Sequence, residues 1–404
     1  MELSDIVLSS GVRTPFGDFG RSLREVPMEA LGTHVVRASL QRAGLDPARV
    51  DHLVFGNTAP VDDDGLFVSR KIALQAGLPV DSSALGVVRA CGTGSQAIVS
   101  AALQILTGHS EVAVAAGGEN YSRVPYLARE MRWGAGRGPA TLVDGLDTIY
   151  RCPFTKELMG DTAETLAGRH GYTREAMDDW GFMSQQRAGA AMRSGFLARQ
   201  IVPIEVPEPG SRARGGVRPT RLFTEDEFPR PQVTRDKLAS LKPAFKPGGS
   251  VTAGNSSGVT DGAAALVVTH FGAARRLGIP LEARLVDYAV VGVPPEIMGA
   301  GPVPAITRLL ERTGIDVDEI DYWEINEAFA VVNLHAEAML GIPRERTNLY
   351  GGGISIGHPP GATGLRMTIT AMQHLADTGG RYGVISMCLG SGMGMATLIE
   401  NLRR

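Results

Sequence analysis

The sequence predicts an α/β protein made of two similar halves with a further segment inserted between them. Three observations support this prediction. Apolar strand-like runs alternate with stretches of helical apolar spacing, a weak repeat relates the two halves, and glycine-rich turns separate the apolar segments. Alternating strands and helices are typical of doubly wound sheets. Glycine supplies 51 of 404 residues, whereas average usage is about 7%.

The elements of the first half follow in order. A strand is predicted at Asp5–Ser9, and a helix at Met28–Ala43, where apolar residues recur at helical spacing. The stretch Val87–Leu106 begins as a strand end and continues as a helix. The apolar strand Glu111–Ala116 and a turn at Gly117–Gly118 come next. This order predicts a βαβ-rich unit.

A repeat relates this unit to the end of the chain. RAGLDPARVDHLVFGN begins at Arg42, and RTGIDVDEIDYWEIN begins 270 residues later at Arg312. The matched positions are Arg42, Gly44, Leu45, Asp46, Val50 and Asp51 with Arg312, Gly314, Ile315, Asp316, Ile320 and Asp321. A glycine-rich start of a helix at Gly351–Leu375, a strand at Tyr382–Met387 and a turn at Leu389–Gly394 complete the second half. We therefore expect a duplication with a functional site where the halves meet.

The segment between the halves has a different composition. It is rich in proline and arginine, and it includes a predicted helix at Arg174–Ser194 capped by Thr173. The arginines of SRARGGVRPT are a candidate anionic-ligand surface, with solvated charge as the alternative. Ser250–Thr269 returns to strand-like sequence. The predicted domains are an N-terminal domain of residues 1–118 completed by 250–272, a loop domain of 119–249, and a C-terminal domain of 273–404.

Composition excludes several classes of protein. A net charge of -3 gives no indication of a nucleic-acid surface, and no apolar run is long enough to span a membrane. Cys91, Cys152 and Cys388 are too few for a disulfide framework and fit a reducing compartment. The N-terminus carries Glu2 and Asp5 and lacks the pattern of a secretory signal. We expect a cytoplasmic protein with no nucleic-acid or membrane partner.

Cys91 is the first candidate for chemistry. It lies between a strand end and a helix, where unpaired N–H groups and the helix macrodipole favour a thiolate. Gly92, Thr93 and Gly94 leave room for a substrate to approach the sulfur. The alternative is an inert cysteine packed as a small apolar residue.

Three further segments carry candidate chemical groups: NEAFA at Asn326–Ala330, His358 in GISIGHPPGATG, and Cys388 in MCLGSGMG. Two cysteines and a histidine could bind zinc, but the chain lacks the CxxC or HxxxH spacing of structural zinc sites. Acyl transfer fits these groups better. In that chemistry a thiolate accepts an acyl group, a histidine activates the thiol, and a second acid or base moves a proton at carbon.

Seven segments resemble the thiolase family in their order and spacing: SGVRTPFG, VVRACGTGSQAIVSA, VTAGNSSGVTDGAAA, MGAGPVPA, NEAFA, GGGISIGHPPGATG and CLGSGMG. The resemblance covers nearly the whole chain and implies two like domains in an αβαβα sandwich with an inserted loop domain. It also implies an acyltransferase that interconverts acyl-CoA plus acetyl-CoA with 3-ketoacyl-CoA plus CoA. Coenzyme A is then a substrate or product, no cofactor or metal is needed, and a homodimer or homotetramer is expected.

The resemblance implies a role for each candidate group. Cys91 is the nucleophile that carries the acyl group, and His358 activates it and polarises a thioester oxygen. Cys388 removes a proton from the methyl carbon of acetyl-CoA in condensation and returns it in cleavage. Asn326 holds a water in one oxyanion site, while backbone N–H groups of Cys91 and Gly390 form another. Fixed donors of this kind stabilise developing charge without reorganisation.

Binding positions carry over from the family in the same way. They are Ser257 and Ala253 at the pantetheine arm, Phe245, Met159, Met298 and Phe329 in the acyl pocket, and Arg230 at the nucleotide end. Ordinary core packing is the alternative for the apolar residues, and a solvated surface charge is the alternative for Arg230.

Three departures from the family pattern modify these expectations. Leu158 replaces the histidine of many acetoacetyl-CoA thiolases, which predicts activity beyond four carbons. Val88 precedes Arg89 where the family usually has asparagine, and Ser391 interrupts a common triple-glycine loop. Two alternatives remain open, a decarboxylating condensing enzyme of the ketoacyl-synthase kind and a thiolase-like scaffold that binds acyl-CoA with little turnover.

Overall fold

The computed structural model describes residues 1–62, 65–134, 136–211 and 218–403. The strands are β1 (Ile6–Arg13), β2 (Gly17–Asp18), β3 (His52–Gly56), β4 (Ser83–Val87), β5 (Val112–Glu119), β6 (Tyr126–Leu127), β7 (Val143–Asp144), β8 (Ile204–Pro207), β9 (Thr220–Phe223), β10 (Thr260–His270), β11 (Ala283–Gly292), β12 (Ile320–Ile325), β13 (Tyr382–Leu389) and β14 (Met393–Asn401). The helices are α1 (Met28–Ala43), α2 (Val68–Ala76), α3 (Thr93–Leu106), α4 (Gly145–Tyr150), α5 (Met159–His170), α6 (Arg174–Arg193), α7 (Arg235–Ala239), α8 (Phe271–Leu277), α9 (Pro302–Thr313), α10 (Ala330–Leu340) and α11 (Pro360–Thr378).

The 270-residue repeat is present in the structure. α1 and α9 end one residue before Gly44 and Gly314, whose φ angles of 63° and 65° lie in the left-handed region that favours glycine. A single 3-10 turn follows each helix, at Pro47–Arg49 in the first half and Val317–Glu319 in the second. Matching residues therefore form matching turns before β3 and β12.

The repeated aspartates bind equivalent strands. Asp51 accepts hydrogen bonds from the backbone N–H groups of Glu111 and Val112 at 2.8 and 3.4 Å, at the start of β5. Asp321 accepts from Arg381 and Tyr382 at 2.6 and 3.1 Å, at the start of β13. In each half, the equivalent aspartate therefore holds the start of the corresponding strand, β5 or β13.

Within the described residues one sheet has the order β12-β13-β14-β11-β1-β10-β5-β3-β4, and β2 adds to β10. In each half a parallel pair, β3 with β5 or β12 with β13, continues into antiparallel strands. The halves join where β1 pairs with β11 at Val7↔Arg284 and Leu8↔Ala283. The sheet order of one half thus repeats that of the other.

Helices form layers around the two halves of the sheet. α3 and α11 pack against each other. α11 also packs against strands of both halves and α3 against strands of the first, whereas α1 and α2 cover the first half and α9 and α10 the second. Every residue from Pro360 to Met372 is buried, as expected for a helix enclosed on all sides. Glycines at the start of α3 and α11 therefore lie at the centre of the molecule.

The segment between β5 and β10 contains β6–β9 and α4–α7. The predicted helix α6 is present, and Thr173 caps it by accepting a hydrogen bond from the N–H of Ala176 at 3.2 Å. Arg212 and Arg214 of the candidate anionic surface lie outside the described residues. Arg218 forms an ion pair with Glu25.

Two predictions about local structure are wrong. Gly117 and Gly118 continue β5 rather than forming a turn, because Gly117 accommodates α11: a Cβ there would lie 2.2 Å from the carbonyl oxygen of Gly361. The strand predicted within Ser250–Thr269 begins only at Thr260. The preceding loop is held instead by Asn255, whose side chain accepts a hydrogen bond from the N–H of Thr252.

Candidate active site

Cys91 lies at a tight turn between β4 and α3. Ala90 has a φ of 44°, which is unusual for a residue other than glycine. The Thr93 hydroxyl accepts from the N–H of Arg89 at 2.8 Å and donates to the carbonyl of Ala90 at 2.7 Å. This turn leaves Cys91 partly exposed two residues before the helix.

The free thiol of Cys91 is neutral rather than ionised. Burial of the sulfur raises its pKa above the ordinary value, and the charge of Glu119 adds to that effect. Hydrogen bonds from the backbone N–H groups of Gly390 and of Cys91 itself act in the opposite direction. The N–H groups at the helix start therefore favour the thiolate, whereas desolvation disfavours it and is the larger effect. The two predicted oxyanion donors both contact the Cys91 sulfur.

The starts of α3 and α11 meet without side chains between them. A Cβ on Gly94 would lie 2.9 Å from the carbonyl oxygen of Gly361 and from the nitrogen of Gly364. Gly94 and Gly364 are themselves related by the 270-residue repeat. Cys91 and His358 each precede these touching turns, so the duplicated helices bring both groups to one junction.

The tautomer of His358 is determined by Thr363. The imidazole Nδ1 lies 2.7 Å from the Thr363 hydroxyl, which donates to the carbonyl of Pro359 at 2.9 Å. Because that hydroxyl hydrogen is already used, Nδ1–H donates to Thr363, and Nε2 carries the lone pair. The side-chain amide of Asn326 lies 3.3 Å from Nε2.

His358 is buried and uncharged. Desolvation lowers its pKa to about 3, and the nearby positive charge of Arg366 contributes in the same direction. A neutral imidazole with an unprotonated Nε2 can accept a proton at neutral pH. His358 thus has the protonation state that a general base requires.

Asn326 follows β12 and is held by a hydrogen bond from its N–H to the carbonyl of Ser386 at 2.9 Å. Its side-chain Oδ1 is buried and has no hydrogen-bond partner among the described residues. Buried amide oxygens are normally satisfied by protein or by ordered water. The group therefore suits the water-holding role that the sequence implied.

Cys388 is fully buried near the end of β13. Burial raises the pKa of its thiol well above the ordinary value, and the proximity of Cys91 raises it further. The thiol is therefore protonated and can act as an acid. The turn after β13 contains Ser391 with a φ of 72°, a conformation that favours glycine.

The predicted acyl-pocket residues lie close together. Met159 contacts the turn, since a Cβ on Gly390 would lie 3.3 Å from its Cε atom. Phe245 packs on Gly160 and meets Phe329 edge-on, with ring centroids 6.0 Å apart. Met298 is buried in the same apolar core. These side chains form an apolar wall beside the Cys91–Gly390 contact.

The predicted CoA contacts lie on a neighbouring surface. The N–H of Ser257 donates to the carbonyl of Ala328 at 2.9 Å, and Ala253 is exposed. The Arg230 guanidinium donates to backbone carbonyls, including that of Phe228 at 2.7 Å, and pairs with Asp18 at 3.1 Å. Arg230 is thus held in place while its side chain remains 41% exposed.

Reasoning from the sequence missed two buried carboxylates. Glu327 of NEAFA accepts from Trp180 at 3.0 Å, Ser184 at 2.6 Å and the N–H of Ile354 at 3.2 Å, so it joins α6 to the loop before His358. The position of Glu327 inside the NEAFA motif was the sequence signal that could have identified it. Glu119 at the end of β5 carried no motif signal.

Among the described residues, no group of three or more His, Cys, Asp or Glu side chains is placed to hold a metal ion. In the same ranges, no helix is both long and apolar enough to cross a membrane. The site consists of two thiols, a neutral imidazole and an amide. This combination defines a thiol-dependent acyltransferase site.

Comparison with known families identifies the chain more closely. Residues 6–271 match the thiolase N-terminal domain, and residues 279–401 match the thiolase C-terminal domain. The chain belongs to the thiolase family. Its αβαβα fold with an inserted segment is the one that the sequence resemblance implied.

Curated relatives match over nearly the whole chain. Beta-ketothiolase BktB of Cupriavidus necator is 42% identical over 98% of this chain and 99% of its own length. The mitochondrial 3-ketoacyl-CoA thiolase of Bos taurus is 38% identical over 99% of each chain.

Solved structures show the same similarity. Human mitochondrial 3-ketoacyl-CoA thiolase has a TM-score of 0.94 at 36% identity and is matched over 99% of both chains. The acetyl-CoA acetyltransferase of Bacillus anthracis has a TM-score of 0.94 at 39% identity over 99% of both chains. The human enzyme has also been solved in complex with CoA, with a TM-score of 0.93 at 36% identity over 99% of this chain and 98% of that chain.

Proposed function

We propose that this protein reversibly transfers acyl groups between CoA thioesters, interconverting acyl-CoA plus acetyl-CoA with 3-ketoacyl-CoA plus CoA. The observation that carries the proposal is that the helix starts after Cys91 and His358 touch, at Gly94 and Gly361, while Cys388 lies near enough to Cys91 for the two thiols to interact electrostatically. Similarity to thiolases and to a structure solved with CoA supports the choice of substrates. Coenzyme A serves as substrate or product, and the reaction needs no other cofactor.

In cleavage, Cys91 attacks the 3-keto carbonyl of 3-ketoacyl-CoA while its proton moves to Nε2 of His358. The bond between C2 and C3 then breaks, and Cys388 donates its proton to C2, which releases acetyl-CoA. The raised pKa of the Cys388 thiol suits this proton donation. The backbone N–H groups of Cys91 and Gly390, and a water held by Asn326, stabilise the negative charge on the thioester oxygens.

The second step regenerates the enzyme. The thiol of CoA attacks the acyl-Cys91 thioester and gives its proton to the Cys388 thiolate. Cys91 leaves as a thiolate and recovers its proton from His358. Condensation is the reverse sequence, in which the Cys388 thiolate removes a proton from acetyl-CoA.

The acyl pocket favours substrates longer than acetoacetyl-CoA. Leu158 immediately precedes Met159 and is partly buried, so an apolar chain replaces an imidazole at the pocket edge. CoA-dependent thiolysis, measured over a panel of 3-ketoacyl-CoA substrates of increasing length, tests this proposal. Activity restricted to acetoacetyl-CoA would contradict it, and Leu158→His is the matched variant expected to shift preference towards four carbons.

The same assay separates the alternative functions. Binding of 3-ketohexanoyl-CoA and acetoacetyl-CoA without CoA-dependent loss would indicate a scaffold rather than an enzyme. Condensation that requires malonyl-CoA in place of acetyl-CoA would indicate a decarboxylating enzyme. The Cys388 turn favours the thiolase reaction over the decarboxylating one, and retention of all four candidate catalytic side chains favours it over the scaffold.

A homodimer or homotetramer is the proposed assembly, formed through β4. This strand ends the sheet and is largely exposed, with Leu85 at 37% and the adjacent Val88 at 67%. Exposed apolar edge strands readily pair with a second chain. Sedimentation of the wild type and of Leu85→Lys tests this assembly, and an unchanged molecular mass in the variant would exclude pairing through β4.

The cytoplasm and fatty-acid metabolism are the proposed setting. The three cysteines, all within the described ranges, are free thiols. Free thiols persist in reducing compartments. Cell fractionation and measurement of acyl-CoA pools in a deletion strain test this part of the proposal.

A further inference from the structure

Glu119, the last residue of β5, is a fully buried carboxylate to which the proposed mechanism assigns no role. Described residues supply five hydrogen bonds to it. Oε1 accepts from the N–H and hydroxyl of Thr58, both at 2.7 Å, and from the N–H of Gly361 at 3.1 Å. Oε2 accepts from the Asn57 amide at 3.0 Å and the N–H of Ala59 at 3.3 Å.

Four of these donors belong to the first half of the molecule, and the fifth belongs to the second. Gly361 is the second residue of α11, and Pro359 and Pro360 before it have no N–H group. The N–H of Gly361 is therefore the first donor that α11 presents at its N-terminus. Among the described residues, α11 has no side-chain cap at its own N-cap position. Glu119 supplies that cap from the opposite half.

The capped helix start is tightly confined. A Cβ on Gly361 would lie 2.5 Å from the carbonyl oxygens of both Gly56 and Gly118. His358 lies three residues before this position, and its tautomer depends on Thr363 two residues after it. A shift of the helix start would therefore move the base and its hydrogen-bond partner together.

We propose that Glu119 is a positioning residue, which caps α11 across the junction between the halves and thereby holds His358 in register with Cys91. The role rests on the proposed thiolase function only for its effect on turnover. The placement of His358 relative to Cys91 by Glu119 does not depend on which substrate the protein uses. Glu119 acts through Gly361 and not through the reacting atoms.

The charge of Glu119 has a separate effect that the test must distinguish. Burial raises the pKa of Glu119 to about 7 despite its five donors. The groups that face it electrostatically are Cys91 before α3, Tyr121 after β5 and Tyr150 in α4. Removing the charge alone makes the Cys91 thiolate easier to form, whereas removing the cap misplaces the base.

Two variants separate these effects. In Glu119→Gln the amide oxygen, placed at the Oε1 position, can still accept from the N–H of Gly361. The NH2 group then takes the Oε2 position and loses the hydrogen bonds from Asn57 and Ala59, so this variant removes the charge and keeps the cap. Glu119→Ala removes both charge and cap. Asp51→Ala is the matched control, since Asp51 holds the opposite end of β5 through backbone N–H groups.

The first measurement is thiolysis of acetoacetyl-CoA and 3-ketohexanoyl-CoA, expressed per folded enzyme. A misplacement of about 1 Å can lower rates by about 100-fold, so we expect a kcat loss of that order in Glu119→Ala with little change in KM. Glu119→Gln should retain most activity, because its amide oxygen still accepts from the N–H of Gly361. Asp51→Ala should lose stability but keep kcat.

The second measurement is alkylation of Cys91 by iodoacetamide, followed by mass spectrometry, which needs no turnover. Positioning predicts slower alkylation in Glu119→Ala and not in Glu119→Gln. Faster alkylation in both variants would overturn the proposal in favour of a purely electrostatic role, as would a kcat in Glu119→Ala equal to that of Asp51→Ala. If the wild type alkylates as expected but cleaves no substrate, the proposed function fails and the positioning role stands.

Discussion

The two halves of the molecule share a framework and differ where equivalent strands end. β5 begins at Val112 and β13 at Tyr382, each held by a repeated aspartate, and both strands are eight residues long. After β5 the chain leaves through the inserted segment before returning in β10. After β13 it turns within the three residues 390–392 and continues in β14.

The candidate chemical groups lie at positions where the two halves carry different residues. Gly118 and Cys388 occupy the same place in the repeat, as do Glu119 and Leu389. The end of β5 lets α11 pack closely against it and caps that helix. The end of β13 supplies a buried thiol and the turn that contacts Cys91. Framework positions should therefore affect stability similarly in both halves, whereas strand-end positions should affect different chemical steps.

The largest expected contrast is between the two cysteines. Cys91→Ala should lose the acyl-enzyme adduct and roughly 10⁴-fold or more of its activity. Cys388→Ala should still form the adduct from acetyl-CoA, more slowly than the wild type, because that step moves no proton at carbon and needs Cys388 only to protonate the departing CoA thiolate. Thiolysis should fall by about 10²–10⁴-fold. Mass spectrometry of the intact protein after mixing with acetyl-CoA measures the adduct. An adduct in Cys91→Ala would contradict these assignments.

Thr363→Val should lower kcat on the order of 10-fold to 100-fold, because the hydroxyl that orients the His358 tautomer is lost. Thr368→Val is the control in the same helix, since that hydroxyl donates to the carbonyl of Gly364. Equal kcat values in the two variants would show that Thr363 does not orient the imidazole.

The repeated aspartates provide the direct test of the shared framework. Asp51→Ala and Asp321→Ala should each lower the free energy of unfolding by about 2 kcal/mol, because each leaves backbone N–H groups without a charged acceptor. Urea denaturation measures both values. A large loss in one half with none in the other would break the structural equivalence of the halves.

His335 gives the second half its own pH dependence. Burial lowers its pKa to about 4, with the neighbouring His170 contributing. Between this pKa and the ordinary value of 6.5, the unfolded chain binds a proton that the folded protein does not, so stability falls as pH falls. From pH 7 to 5 this loss is about 2 kcal/mol.

Between pH 7 and pH 5, His335→Gln should therefore lose about 2 kcal/mol less of its free energy of unfolding than the wild type does. His358 acts in the same direction in both proteins and cancels from the comparison. Urea denaturation at the two pH values measures the difference. An identical pH dependence in wild type and variant would refute this assignment.

The smallest expected effect concerns the turn that only the second half possesses. Ser391 has a φ of 72°, and relieving this conformation in Ser391→Gly should raise the free energy of unfolding by about 1 kcal/mol. Thermal unfolding measures the change. A destabilised variant would mean that the Ser391 side chain contributes to the turn.

The sequence by itself determined the family and the duplication and predicted the reacting groups, because these depend on local patterns. The repeat survives as local structure: Asp46 caps its own turn through the N–H of Ala48, and Gly44 ends its own helix. The motifs around Cys91, His358 and Cys388 likewise required no knowledge of distant contacts. These predictions needed only residue types and spacing.

Only the tertiary structure decided the protonation state of those groups and the contacts that hold them in place. Desolvation keeps the Cys91 thiol neutral against the helix N-terminus, and Gly117 lies within a strand because α11 packs on it. Glu119 caps a helix that begins 241 residues further along the chain. Burial and contacts of this sequence separation leave no periodic signal, since they arise when the two halves close around α3 and α11.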